Sequence, residues 1–219
     1  IMDNVIRITF PSFSRLQHDK DILGKAVEKS IFAASFLIFP SLVGLVVLAP
    51  YFIQLIPKYI KWEPAILSLS FFAINAVLSS ISTPLTNALN AIGKIKITLY
   101  LMVFWTISTW VITPLAIMMF GFNGVSYASA FIALSVVFVV IISKRFIKFA
   151  VFRILINPFL ATIFMGAVIY FLSPLVVKNI IMLILMIVFG AVVYFSTMLA
   201  LARNEILSDI KFVKENLKK

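Results

Sequence analysis

Small polar side chains recur at helical spacing between positions 75 and 90, inside a long stretch without charge. Five of them stand at i, i+4, i+7, i+11 and i+15, and two more widen the row, so that an α-helix would align them in one stripe. The stripe consists of Asn75, Ser79, Ser82, Thr83, Thr86, Asn87 and Asn90. Because hydroxyl and amide groups donate and accept hydrogen bonds, the spacing predicts a helix with one polar face.

Two interpretations of this polar stripe stay open at the level of the sequence. Ser, Thr and Asn are common where membrane helices pack together, because small side chains allow close approach and bond across the contact. Alternatively, the stripe lines a hydrated path and offers hydrogen bonds to the hydroxyl or phosphate groups of a passing molecule. Asn87 and Asn90 slightly favour the path, because an amide is costly to bury without a partner.

The composition of the chain places this helix in a membrane. Of the 219 residues, 63% are hydrophobic and only 12% are charged, whereas a soluble domain carries about 25% charged residues. Six uncharged runs are long enough to cross about 30 Å of hydrocarbon as helices. They cover residues 30–56, 65–92, 97–120, 125–143, 154–173 and 179–202. Because the runs lack the two-residue alternation of membrane strands, we expect an all-α, multi-span transmembrane helical bundle.

Lysine and arginine are distributed unevenly between the two sides that six spans define. Sixteen of the nineteen lie on the side of both termini, and only Lys58, Lys61 and Lys178 lie on the other side. The positive-inside rule therefore predicts that both ends of the chain are cytoplasmic. The formal net charge of +11 then reflects topology and attraction to membrane lipids, and no nucleic-acid partner is expected.

The predicted spans contain no Asp, Glu, Lys, Arg or His, so no intramembrane proton relay is expected in them. His18 is the single histidine of the chain and cysteine is absent, whereas a metal site needs several convergent ligands. No nucleophile elbow, glycine-rich phosphate loop or paired carboxylate motif is present. We therefore expect no enzymatic activity, catalytic residue, metal site or cofactor.

Residues 1–29 precede the first span and fit the end of a preceding helix, a cytoplasmic loop and an amphipathic helix. Pro11 ends the first of these, and Asp19 or Asp21 is suited to cap the last. The apolar face of this last helix consists of Ile22, Leu23, Ala26 and Val27. Since charged residues occupy much of its remaining surface, we expect it to lie at the membrane surface and to lead into the first span.

Prolines occur inside the first three spans. They are Pro40, Pro50, Pro84 and Pro114. A proline within a helix has no N–H and so leaves one backbone carbonyl without its usual partner. Membrane helices tolerate this because neighbouring groups supply a substitute donor. The prolines indicate either bent helices that enclose or move something, or simply the higher proline content of membrane helices.

Three short motifs carry a resemblance to a known family. They are FPSFSRLQHD at positions 10–19, NALNAIGK at positions 87–94 and FGFNGV at positions 120–125. The first resembles the cytoplasmic loop of polysaccharide flippases of the multidrug/oligosaccharidyl-lipid/polysaccharide exporter superfamily. The second is similar to a helix end before a basic turn in that family, and the third to a tight outer turn between the next two helices.

This resemblance implies a fold of two six-helix lobes around a central cavity, often followed by two extra helices. On that plan the chain resembles the C-terminal part: residues 30–143 form four spans of the transport lobe, and residues 144–219 form two additional spans and a basic cytoplasmic tail. The N-terminal lobe would then be a missing partner from the same protein. The implied activity is the flipping of prenyl-linked oligosaccharide or polysaccharide repeat units across the cytoplasmic (inner) cell membrane by alternating access.

The resemblance also gives a role to two arginines at the cytoplasmic side. Arg7 and Arg15 are expected to attract the diphosphate of the lipid-linked substrate at the cytoplasmic mouth, or only to set the topology. Two other functions stay open. One is a drug or ion exporter of the same superfamily, and the other is a non-transporting membrane scaffold in a polysaccharide assembly complex.

Overall fold

The computed structural model of the protein describes residues 13–16 and 19–216, and it describes the side chains among them except those of Lys20 and residues 202–216. Arg7, His18 and half of the motif at positions 10–19 lie outside the described residues. Within the described part every regular element is helical. The expected all-α fold is therefore confirmed.

Seven α-helices follow one another along the described chain. Their bounds are α1 Lys20–Leu55, α2 Ala65–Ala91, α3 Ile95–Phe120, α4 Gly124–Ala133, α5 Val136–Lys144, α6 Val151–Val176 and α7 Ile180–Asn216. Two short 3-10 helices join some of them, Pro57–Trp62 between α1 and α2 and Gly121–Asn123 between α3 and α4. Since α4 and α5 continue one another, they form a single span.

Five helical stretches of the described chain are long and apolar enough to cross a membrane, and the third, Ile95–Lys144, contains 50 residues. A helix of that length would measure about 75 Å at 1.5 Å per residue, more than twice the hydrocarbon thickness. Gly121, with a φ of 63°, breaks it after α3, and α3 then packs against α4. Six crossings result, in approximate agreement with the six predicted spans.

Contacts at both ends of the bundle show that α2 and the α4–α5 span run in the same direction, with α3 returning between them. At one end Lys94 Nζ, after α2, lies 4.9 Å from the centre of the Phe146 ring, after α5. At the other end Ser68, near the start of α2, bonds to Asn123, just before α4. We call the first end the basic end, because it carries exposed lysines and arginines in and beside the α2–α3 turn and the α5–α6 linker. They are Lys94, Lys96, Lys144, Arg145 and Lys148.

The amphipathic stretch before the first span differs from the expectation. The structure joins residues 20–29 to the first span in the single helix α1, whose N-cap is Asp19, with Oδ1 accepting from the backbone N–H groups of Asp21 and Ile22 at 3.0 Å. Leu23 and Val27 are fully buried. They pack in one core with residues of α2 and α5, whereas Ile22 is 48% exposed, so protein covers part of the predicted apolar face.

Two clusters of buried apolar side chains hold the helices together. The basic-end cluster joins α1, α2 and α5, and includes Leu23, Val27, Ile31, Leu85, Ala88, Val139 and Ile147. The α6–α7 cluster joins the later part of α1 to the last two helices, and includes Leu48, Ala161, Met165, Ile169, Leu183, Met186, Tyr194 and Met198. Among the described residues, α1 alone supplies fully or nearly fully buried side chains to both clusters.

The α5–α6 linker packs against one face of α1 at the basic end. Glu28 Oε1 accepts a hydrogen bond of 2.8 Å from the backbone N–H of Ala150, the N-cap residue of α6. A carboxylate at this place also complements the positive end of the helix dipole. One turn earlier Gly24 lies against the carbonyl of Lys148, and Asp21 forms a surface ion pair of 3.6 Å with Lys148.

Candidate functional site

The polar stripe lies on α2, which packs against α1, α3, α4 and α5. Its seven members are buried or half-buried, so the helix period deduced from the sequence does place them on a mostly covered surface. Their hydrogen bonds differ along the helix. The stripe divides into a part near the start of α2, a middle part and a part at the basic end.

The part near the start of α2 makes contacts between helices. Asn75 Nδ2 donates to the carbonyl of Ser129 on α4 at 2.9 Å. One heptad earlier, Ser68 Oγ donates to Asn123 Oδ1 at 2.7 Å and accepts from Ser126 Oγ at 3.2 Å. Ser68 was not among the predicted site residues, although its i, i+7 relation to Asn75 extends the same stripe. At this end the stripe is therefore a helix-packing surface.

The middle of the stripe bonds to its own helix. Thr83 Oγ1 donates to the carbonyl of Ser79 at 2.9 Å, and Thr86 Oγ1 donates to the carbonyl of Thr83 at 2.9 Å. Ser82 bonds more weakly to the Ser79 carbonyl, at 3.3 Å, and Ser79 Oγ reaches Asn75 Oδ1 at 3.4 Å. Since Ser and Thr can satisfy themselves in this way within a helix, these hydroxyls need no partner from outside.

The basic end of the stripe is different, because two amide atoms there are not satisfied. Asn87 Nδ2, a donor, and Asn90 Oδ1, an acceptor, are both buried and have no hydrogen-bond partner among the described residues. They belong to residues one helical turn apart. Burying such groups unpaired costs about 1–3 kcal/mol each. Asn87 and Asn90 are therefore the stripe residues whose buried amide atoms make no hydrogen bond to the described residues.

Arg15 lies at the same end of the bundle as the asparagine pair. Two residues before it, Phe13 is 1% exposed and belongs to the basic-end cluster together with Ala88 and Ala91, the neighbours of Asn87 and Asn90. Phe13 thus anchors the segment, whereas the Arg15 side chain is exposed. The structure places Arg15 at the rim and the asparagines inside, but it gives no direct contact between them.

Two apolar cavities lie away from the polar stripe. One of about 730 Å³ lies between α1, α6 and α7, with Pro40, Gly44, Met165 and Tyr194 in its wall. The other, of about 660 Å³, lies between α2, α3 and α4. No stripe residue lines either cavity. Sequence reasoning missed both, because apolar residues that line a cavity have the same pattern as residues that face lipid.

Acidic and histidine side chains do not gather into a site in the described residues. No group of three or more His, Cys, Asp or Glu that could hold a metal ion is found among them. The uncharged runs that form the spans contain no Asp, Glu, Lys, Arg or His, so the polar side chains inside the bundle are neutral and the charged ones lie at its ends.

Replacing Asn75 by leucine tests the packing role of the first part of the stripe. We expect a loss of about 1 kcal/mol in unfolding free energy, because one interhelical hydrogen bond disappears. Thermal unfolding in detergent measures this free energy. A variant as stable as the parent would contradict the packing role.

Comparisons with known proteins agree with the resemblance noted in the sequence. A family described as "Polysaccharide biosynthesis protein" matches residues 1–67. The lipopolysaccharide biosynthesis protein WzxC of Escherichia coli (strain K12) is 28% identical over 102 residues, which cover 47% of this chain and 20% of that protein. An uncharacterized membrane protein in the cps region of Klebsiella pneumoniae is 28% identical over 93 residues, which cover 42% of this chain and 19% of that protein.

Among solved structures, the lipid II flippase MurJ in an inward closed conformation superimposes with a TM-score of 0.77 and 17% sequence identity. The match covers 91% of this chain and 43% of that chain, so it establishes a shared fold over less than half of the larger protein. The two sequence matches likewise span about a fifth of their relatives. Taken together, these comparisons confirm the resemblance of the chain to the polysaccharide and lipid-linked saccharide flippases of the multidrug/oligosaccharidyl-lipid/polysaccharide exporter superfamily.

Proposed function

We propose that this chain forms the C-terminal lobe of a flippase that moves lipid-linked oligosaccharide or polysaccharide repeat units across the cytoplasmic membrane by alternating access. The observation that carries the proposal is the pair of unsatisfied amide atoms of Asn87 and Asn90, inside an uncharged span of a flippase-like fold. A donor and an acceptor one turn apart suit the hydroxyl groups of a sugar, each of which both donates and accepts.

The physical task of such a protein is to carry a polar head through hydrocarbon. Each hydroxyl that loses water without a substitute partner costs several kcal/mol, so an unaided sugar chain does not cross. A polar wall on one side of a cavity replaces part of that hydration, while the prenyl tail stays in lipid. In this proposal Asn87 and Asn90 supply the wall, and Asn75 holds α2 against α4 through its bond to the Ser129 carbonyl.

The other half of the cavity belongs to the N-terminal lobe of the same protein, which this proposal requires as a partner. The shared fold over 43% of the MurJ chain is compatible with one lobe of such a pair. The basic end would face the cytoplasm, in keeping with the positive-inside rule. There Arg7 and Arg15 would attract the diphosphate before the head enters, an effect that should weaken at high salt.

A vesicle assay with the full-length protein tests this function. Fluorescent prenyl diphosphate-linked oligosaccharide is placed in vesicles with and without the protein, and a membrane-impermeant quencher reports the fraction in the outer leaflet. We expect faster exchange between leaflets with the protein present. Exchange no faster than in protein-free vesicles, under any ion gradient, would refute the proposal. Efflux of a drug from the same vesicles in that case would favour the exporter alternative.

A further inference from the structure

Helix α1 contains an interrupted hydrogen bond at Pro40. Proline has no N–H, so the carbonyl of residue 36 loses the donor that an α-helix would normally provide four residues later. The structure supplies a substitute: Tyr194 Oη of α7 donates to the carbonyl of Phe36 at 2.9 Å. The expectation that a neighbour satisfies a carbonyl freed by proline is confirmed at this position. The donor comes from a helix 158 residues away in the sequence.

The surroundings of Tyr194 fix its hydroxyl in this position. The side chain is 2% exposed, and its ring packs against Phe36 with the ring centres 5.5 Å apart. Phe195 adds a contact with Phe36 at 5.6 Å. A buried tyrosine hydroxyl requires a hydrogen-bond partner, and the cavity that it borders is almost entirely apolar. The Phe36 carbonyl and the Tyr194 hydroxyl therefore satisfy each other where water is scarce.

Pro40 lies in the part of α1 that packs against α6 and α7. The basic-end cluster takes residues of α1 only up to Ile31, whereas Phe36 before Pro40 and Leu48 after it both pack in the α6–α7 cluster. The helix continues through the proline, but the missing backbone bond makes Pro40, like Pro50, a place where the parts of the helix on either side can change their relative angle. A bond from α7 to Phe36 restrains that angle.

We propose that Tyr194 is a positioning residue that sets the angle between the two halves of α1 by occupying the carbonyl that Pro40 leaves free. Through α1 it also fixes α2, because α1 and α2 pack together and share the basic-end cluster around Asn87 and Asn90. The consequence for transport rests on the proposed function. The effect of Tyr194 on the angle of α1 does not depend on the proposed function, and it can be measured without a substrate.

A double-mutant cycle in the full-length protein tests the structural part. Tyr194→Phe removes only the hydroxyl, and Pro40→Ala returns an N–H to the Phe36 carbonyl. We expect Tyr194→Phe to lower the thermal midpoint in detergent clearly in the parent, but much less in the Pro40→Ala background. Equal shifts in both backgrounds would overturn the proposal. Tyr170→Phe, at an exposed tyrosine of α6, is the matched control and should cause no shift.

Spin labels on α1 measure the angle directly. The chain contains no cysteine, and Lys25 and Gln54 are exposed positions in the two halves, about 44 Å apart at the α-helical rise. Between labels at these sites, Tyr194→Phe should broaden or shift the distance distribution, and adding Pro40→Ala should narrow it again. An unchanged distribution in Tyr194→Phe would overturn the role in positioning.

The transport part uses the vesicle assay described above. If the parent protein flips the substrate, Tyr194→Phe should slow flipping about threefold, as expected for one lost hydrogen bond in a membrane. An unchanged rate in a variant with an altered distance distribution would overturn the link from Tyr194 to transport. A parent protein that does not flip at all contradicts the proposed function and leaves the unfolding and distance results to decide the structural part.

Discussion

Gly24→Ala is expected to be the most destabilising single methyl addition in α1. A Cβ at this position would collide with the backbone carbonyl of Lys148, and the linker cannot simply move away, because Ala150 is bonded to Glu28. Forcing a side chain into such a contact costs about 3 kcal/mol. We therefore expect a strongly reduced thermal midpoint in detergent and a reduced yield of folded protein.

Gly44→Ala in the same helix is the matched control for that measurement. No heavy atom lies within 4 Å of a Cβ at position 44, and alanine favours the helix by about 1 kcal/mol over glycine. Its midpoint should stay the same or rise. If both substitutions had the same effect, the close approach of α1 and the α5–α6 linker would not be a feature of the folded protein.

The double substitution Asn87→Leu with Asn90→Leu should have the largest effect on transport. Two amide groups that we propose to contact the sugar are lost, and flipping should fall on the order of tenfold or more. Stability should not fall, because the substitution removes buried polar atoms without a partner in the described residues. The measurements are the flipping rate in vesicles and the thermal midpoint of the same preparation.

Asn75→Leu is the comparison variant for the double substitution. Asn75 lies on the same stripe, but its side chain bonds to the Ser129 carbonyl. This substitution should lower stability and leave flipping per folded molecule unchanged. The opposite pattern for the asparagine pair, lower stability with normal flipping, would show that the basic end of the stripe is packing surface as well. The two interpretations left open by the sequence would then be decided in favour of packing.

The helices of this protein were largely predictable because long uncharged runs in a chain of this composition leave few alternatives. The turn between α3 and α4 was also predictable, since Gly121 adopts a positive φ that favours glycine. By contrast, the break between α4 and α5 has no glycine or proline. There Ser135 N bonds to the Ile132 carbonyl at 3.0 Å, and Ser135 Oγ accepts from Trp105 Nε1 at 2.7 Å. Such a tertiary contact is invisible in a single sequence.

The start of α1 shows a second limit of sequence reasoning. Leu23 and Val27 have the spacing of an apolar helix face, but that spacing does not say whether lipid or protein covers the face. Nearby charges suggested the membrane surface, whereas the structure covers both residues with α2 and α5. The stripe shows the same limit, because the spacing identifies its face but not that Asn75 bonds to a backbone carbonyl of α4.

The contacts of α1 also have a consequence for the order in which the protein is made. Its partners Ala150 and Tyr194 are 122 and 158 residues away from Glu28 and Phe36. At a synthesis rate of about 5–20 residues per second, Tyr194 is made about 8–30 s after Phe36. Until then the Phe36 carbonyl lacks its partner from α7. The packing of α1 around Pro40 is therefore completed only after α7 has been synthesised.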